Sequence, residues 1–160
     1  MSFGTGHHET TFLMINEMYN LTFDNKSVLD VGCGTGILSI LSSMKNAKKI
    51  IGIDIDNWAY QNSIENSKLN SIENIDFIEG EIDLVDKGHV FDIILANINR
   101  NIILKDIHNY YNFLKKKGEL LISGFLEDDI EIIYETASQL GLCLITKKNK
   151  GKWYMMHLRS

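Results

Sequence analysis

The sequence predicts a doubly wound α/β fold in three layers, with a mostly parallel seven-stranded sheet closed by an antiparallel hairpin. Three observations carry this. Short apolar runs alternate regularly with helical stretches along most of the 160 residues, the pattern of strands linked by crossover helices. The first such run, "SVLDV", opens into a glycine cluster at Gly32, Gly34 and Gly36 and then into a helical pattern. At the C-terminal end the alternation breaks into two strands separated by a tight turn, which only antiparallel pairing permits.

Taken in order, Thr10 to Tyr19 reads as a short amphipathic helix with Phe12, Ile15 and Tyr19 on one face. "SVLDV" is the first strand and Ile37 to Met44 the next helix. "KIIGID" follows as a strand, and "NWAYQNSIENSKLN" as a helix with Asn57 as its expected N-cap. "IDFIEG" and "FDIILAN" are the third and fourth strands. "NIILKDIHNYYNFLKK" is a helix that stops before Gly118, "GELLISG" a fifth strand, and "EDDIEIIYETASQL" a helix ending at Gly141. "LCLITKK" and "WYMMHLR", joined by "NKGK", form the closing hairpin. No repeat, low-complexity linker or domain boundary interrupts residues 1–160, so one domain is expected.

Composition narrows the function. A chain that is 44% hydrophobic with a formal charge of −5 has an ordinary globular core and an acidic surface. Such a balance disfavours nucleic-acid binding through phosphate contacts. The lysine clusters at Lys45, Lys48 and Lys49, at Lys115 to Lys117, and at Lys147 to Lys152 read as solvated faces and turns. Two cysteines, Cys33 and Cys143, give neither a disulfide framework nor a metal pattern. With no apolar run near the roughly 20 residues of a membrane helix and no signal-peptide pattern, the expectation is a soluble, cytoplasmic protein that binds no membrane.

In an open α/β sheet the ligand sits outside the carboxyl ends of the strands, at the switch point beside the first strand. That rule gathers Gly32 to Gly36, Asp54, Glu79 to Glu81 and Asn97 around one crevice. The glycines follow Asp30 as D-x-G-x-G-x-G, not the G-x-G-x-x-G of dinucleotide sites. This spacing resembles the first motif of the class I methyltransferases, Rossmann-like proteins that bind S-adenosylmethionine. Glycines allow close backbone approach to the amino-acid end of that cofactor, and Asp30 offers a carboxylate to its ammonium. Asp54, with Ile55 beside it, ends the second strand where a carboxylate can accept from both ribose hydroxyls. Asp54 supports any adenosine ligand and does not choose between cofactors. Glu81 is a candidate adenine contact, and an exposed acidic turn is the alternative. The terminal hairpin is what separates the methyltransferase arrangement from NAD domains.

"ILAN" ends the fourth strand at Asn97, beside the expected position of the reactive methyl. Methyl transfer is an in-line displacement, so the attacking nitrogen must present its lone pair on one axis. An amide carbonyl that accepts an N–H bond holds the nucleophile in that orientation. Asn97 is therefore the expected catalytic residue for transfer to an amine; a helix cap is the alternative. Asn99 and Asp56 read as structural.

At the N-terminus, "SFGTGHHETT" matches the Phe-Gly-Thr-Gly-x-His-x-Thr-Thr pattern of the bacterial ribosomal protein L-11 methyltransferase family, through Phe3, Gly4, Thr5, Gly6, His8, Thr10 and Thr11. "LDVGCGTGILSI", "GIDID", "LAN" and the ending "KGKWYMMHLR" fit the family in order and spacing. The resemblance implies an S-adenosylmethionine-dependent enzyme that modifies amino groups of ribosomal protein L-11. It implies a Gly-Thr-Gly loop folded across the cofactor, with Phe3 as apolar cover and Thr5 and Gly6 in contact. His8 is expected to anchor that loop, and no metal is expected. Family proteins carry a separate N-terminal domain for substrate recognition that has no counterpart here, so residues 1–160 correspond to the catalytic domain. Two alternatives stay open: a cofactor-binding domain without activity on the protein substrate, and a methyltransferase for another amine.

Overall fold

A computed structural model describes residues 8–160, so Phe3, Thr5 and Gly6 lie outside the described residues. The chain runs α1 (Glu9–Met18), β1 (Ser27–Val31), α2 (Ile37–Met44), β2 (Lys49–Asp54), α3 (Asn57–Leu69), β3 (Ile75–Glu79), β4 (Phe91–Asn97), α4 (Arg100–Phe113), β5 (Leu114–Leu126), α5 (Ile130–Gln139), β6 (Cys143–Lys150) and β7 (Trp153–Arg159). All seven strands join one sheet in the order β3-β2-β1-β4-β5-β7-β6. Strands β1 to β5 pair in parallel, and β7 runs antiparallel between β5 and β6. The doubly wound fold expected from the sequence is the fold observed.

The side-chain alternation of the strands builds two cores. Val28, Ile50, Ile93, Leu95, Leu121 and Met155 pack with Leu13, Met14 and Met18 of α1 and Leu38 of α2. Their neighbours one residue on, among them Leu29, Ile51, Ile94, Ala96, Ile122 and Met156, pack with Ile103, Ile107 and Tyr110 of α4 and Ile133 of α5. Both faces of the central strands are buried, which is why they read as continuous apolar runs rather than alternating ones. The chain leaves β1 for β2 and β3, then returns to β4 on the other side of β1. The switch point thus lies between the carboxyl ends of β1 and β4.

Of the boundaries that differ from the sequence reading, three have a plain local reason. The α3 cap is Asp56, not Asn57: Asp56 has extended backbone and its side chain accepts from the Ala59 N–H at 3.1 Å. The α4 helix stops at Phe113 because Leu114 already pairs with Phe91 of β4. From there to the next β4–β5 pair, Ile93 with Glu119, β5 carries three more residues than β4, and these loop out near Lys117, whose φ is 63°. The closing hairpin is tighter than "NKGK", since Lys150 pairs with Trp153 across Gly151 and Lys152 alone. Gly151, with φ of 57°, supplies the left-handed residue such a two-residue loop requires. Among the described residues no helix is long and apolar enough to cross a membrane.

Candidate active site

A cavity of about 320 Å³ opens at the switch point, within the size range of small-molecule sites. Gly32 and Gly34 follow β1 into its wall. Gly32 has φ of +65°, and a Cβ there would lie 2.3 Å from Ile98 Cγ2, so only glycine lets this loop pass beside β4. The loop is tied to β2 by bonds from the Gly32 and Cys33 N–H groups to the Ile53 carbonyl, at 2.8 and 3.1 Å.

Asp54 organises the opposite wall. Its Oδ2 accepts from the Gly34 N–H at 2.9 Å and its Oδ1 from the Asp56 N–H at 3.0 Å. Its backbone carbonyl accepts from the Gly80 N–H at 2.8 Å. One residue therefore fixes three loops while its carboxylate keeps acceptor capacity for a ligand. Beside it, Ile55 and Trp58 line the cavity and remain 65% and 60% exposed. Apolar side chains displayed around a concave site are what a planar, partly apolar ligand covers.

Asn97 stands at the end of β4 on the same cavity. Its Nδ2 donates to Thr11 Oγ1 of α1 at 3.4 Å, a long bond. Its Oδ1 is buried and has no hydrogen-bond partner among the described residues. A buried acceptor left open is costly in a folded protein and points to a functional contact. Asn99 is structural, as its sequence position suggests: it caps α4 by accepting from the Ile102 N–H at 3.2 Å.

The structure thus brings Gly32, Gly34, Asp54, Ile55, Glu81 and Asn97 onto one cavity and sets Asp30 and Gly36 behind its wall. Asp30 is 1% exposed, and its Oδ2 accepts from Ser39 Oγ at 2.6 Å. Gly36 is the N-cap of α2 and has no side chain to cap with; the bonds from Ser39 to Asp30 fill that place. Burial lifts the Asp30 carboxyl to about 6 against those Ser39 bonds, and the nearby Asp54 charge adds to the rise. Glu81 reaches the cavity rim but pairs with Lys105 Nζ at 2.5 Å. His8 caps α1 through Nδ1, which accepts from the Thr10 N–H at 3.3 Å, and its ring meets Trp153 edge-on at 5.1 Å. Trp58, Ile98, Ile102, Lys105 and Asp106 also line the cavity. The sequence reading missed them, because α3 and α4 show a site-facing side only once the sheet order is known.

The family model described as ribosomal protein L11 methyltransferase (PrmA) matches residues 1–160, from end to end. The chain belongs to the ribosomal protein L11 methyltransferase family. A relative of that name from Bacteroides thetaiotaomicron is 49% identical over 96% of this chain and 55% of its own length. The chain therefore spans about half the length of the curated relatives it matches. A crystal structure of ribosomal protein L11 methylase from Lactobacillus delbrueckii subsp. bulgaricus superposes with a TM-score of 0.90 at 28% identity, over 96% of this chain and 79% of that one. The N-methyltransferase NodS from Bradyrhizobium japonicum, crystallised with S-adenosylhomocysteine, superposes with a TM-score of 0.77 at 14% identity, over 96% and 89% of the two chains. At that identity the likeness is one of fold.

Proposed function

We propose that this chain is the catalytic domain of an S-adenosylmethionine-dependent methyltransferase acting on amino groups of ribosomal protein L11, in the cytoplasm. The observation that carries the proposal is the buried Asn97 carbonyl, without a partner among the described residues, on a cavity built around Asp54 and the glycine loop. The residues present suit the cofactor. Gly32 and Gly34 offer backbone at close range and Asp54 accepts from ribose hydroxyls, while Ile55, Trp58 and Ile82 provide apolar surface. Acidic side chains surround the cavity and favour a ligand with cationic groups; Asp30 contributes to that field from behind the wall. Phe3, Thr5 and Gly6 complete the site by the family resemblance.

Once bound, the cofactor supplies an electrophilic methyl group on a positively charged sulfur. Asn97 Oδ1 accepts an N–H bond from the incoming amine and so directs its lone pair, a positioning contribution. Thr11 steadies the amide from the α1 side, leaving the carbonyl for the substrate.

The test is incorporation of labelled methyl into purified ribosomal protein L11. Asn97→Ala should lower the rate by about 100-fold or more while S-adenosylhomocysteine binding changes by less than about threefold. Label appearing on oxygen or nucleic acid, or equal rates for both proteins, contradicts the proposal. A second reading is a cofactor-binding domain inactive on L11 by itself. It predicts cofactor binding with no label on L11.

A further inference from the structure

The α1 contact that sets Asn97 depends on a cluster of charged groups to which the proposed function gives no task. Leu13, Met14 and Met18 lay one face of α1 on the sheet. On that side of the sheet stands His157 of β7, 2% exposed. Its Nδ1 lies 3.0 Å from Glu17 Oε1 of α1, and its Nε2 lies 2.6 Å from Glu119 Oε2 of β5. Farther out, Lys148 of β6 meets Glu17 and Arg159 of β7 meets Glu119, with 33% and 44% of their side chains exposed.

An ionised carboxylate accepts hydrogen bonds and donates none. Burial opposes ionisation here, but bonds from Lys148 and His157 hold Glu17 below its usual range, and bonds from Arg159 and His157 do the same for Glu119. A neutral imidazole has one N–H, so it would turn a lone pair toward one of the two carboxylates. Only a ring with a proton on each nitrogen donates to both. Rising pH takes one ring proton and with it one donor, so the tie between α1 and β5 is complete while both protons are held and weakens once one is lost.

Thr11 is what this tie holds in place. It lies less than two helical turns before Glu17, fully buried, and its Oγ1 accepts from Asn97 Nδ2 at 3.4 Å. A bond of that length stands at the outer limit of hydrogen bonding, so a small shift of α1 releases the amide. A released amide can turn its NH2 to where its carbonyl stood.

We infer that His157 is a positioning residue for methyl transfer: donating from both ring nitrogens to Glu17 and Glu119, it seats α1 so that Thr11 holds the Asn97 amide with its carbonyl toward the amine. The role in transfer rests on the function proposed above; the coupling of ring to amide does not.

Two measurements on the full chain test it. Nitrogen NMR of the wild type between about pH 5 and about pH 9 should show both His157 ring nitrogens protonated at the acid end and one proton lost on the way up. The Asn97 side-chain amide signals should carry a step at the ring's own midpoint, and His157→Gln should lack that step. An Asp30→Asn control removes the other titration near 6 beside the site. A ring with a single proton throughout, or a step that survives in His157→Gln, overturns the inference. In the transfer assay, His157→Gln should lower kcat by about tenfold, with KM for S-adenosylmethionine changed by less than about threefold. Thr11→Val should lower kcat as much, and the double variant no further, since both act on one amide. Losses that multiply in the double variant, or a kcat in His157→Gln equal to the wild type's, contradict the inference. A wild type that transfers no methyl contradicts the proposed function alone, and the NMR series then decides the coupling by itself.

Discussion

Gly124 shows how strictly single positions constrain this site. It follows the β5 residue that pairs with Asn97, has φ of +104°, and a Cβ there would stand 2.3 Å from the Ile98 carbonyl oxygen. Neither that backbone angle nor that approach suits any other residue. Gly124→Ala should cost about 2 kcal/mol or more, read as a lower midpoint in urea unfolding, and should displace Asn97 through Ile98. An unchanged midpoint contradicts the geometry. Asp30 makes a prediction of the opposite sign. Its carboxyl is held near 6 against an ordinary 3.8, so the folded chain binds this proton more tightly than the unfolded one. Its stabilising contribution is complete below the unfolded value and is lost as pH rises through the folded one. Asp30→Asn should therefore gain on the wild type by on the order of 3 kcal/mol between pH 3.5 and pH 7.5, followed by parallel melts of both proteins. Parallel pH curves would contradict it. The Asp30 spacing was plain in the sequence, but its partner Ser39 was not: only the folded first turn of α2 brings the two together.

At the scale of elements, α1 is held by charges as well as by its apolar face. Buried His157 of β7 lies between Glu17 of α1 and Glu119 of β5, at 3.0 and 2.6 Å. Glu17 also accepts from Lys148 Nζ at 2.5 Å, and Arg159 pairs with Glu119 at 2.8 Å. Burial works against both carboxylates, but bonds from Lys148, His157 and Asn20 hold Glu17 below its usual range, as bonds from Arg159 and His157 hold Glu119. Their stabilisation is present above the ordinary value of 4.5 and is lost as pH falls through the lowered folded values. Glu17→Ala should cost on the order of 3 kcal/mol at pH 7, because it leaves the Lys148 ammonium and the buried His157 ring without their shared acceptor. It should also flatten the acid limb of the stability curve, which thermal melts at pH 3 to 7 would show. Since Thr11 on the same helix touches Asn97, looser seating of α1 should also slow methyl transfer. None of this cluster was legible in sequence. Glu17 and His157 lie 140 positions apart, and no local pattern marks a cross-element ion network. The apolar strands and the terminal hairpin were legible, because burial on both faces and a tight turn leave local traces. Helix ends were read less well, since Asp56 and Asn57 are both good caps and only backbone geometry chooses between them.

For the whole molecule, the order of strands is what turns scattered residues into a site. The switch between β1 and β4 sets the glycine loop, Asp54 and Asn97 around one cavity, and the sequence already ordered those three by general rules for open sheets. It could not say which face of α3 and α4 would complete the cavity, so Trp58, Lys105 and Asp106 emerged only with the fold. The described end of the N-terminal motif meets this arrangement through α1, where His8 caps the helix and the Thr11 side chain accepts from Asn97.

The central claim is that these 160 residues build a complete cofactor site, and calorimetric titration with S-adenosylhomocysteine tests it most directly. The wild-type chain should bind one equivalent, and Asp54→Ala should bind about tenfold or more weakly, having lost both the ribose acceptor and the tether on Gly34. A folded wild-type chain that gives no binding, or an Asp54→Ala variant that binds as tightly as the wild type, would contradict it.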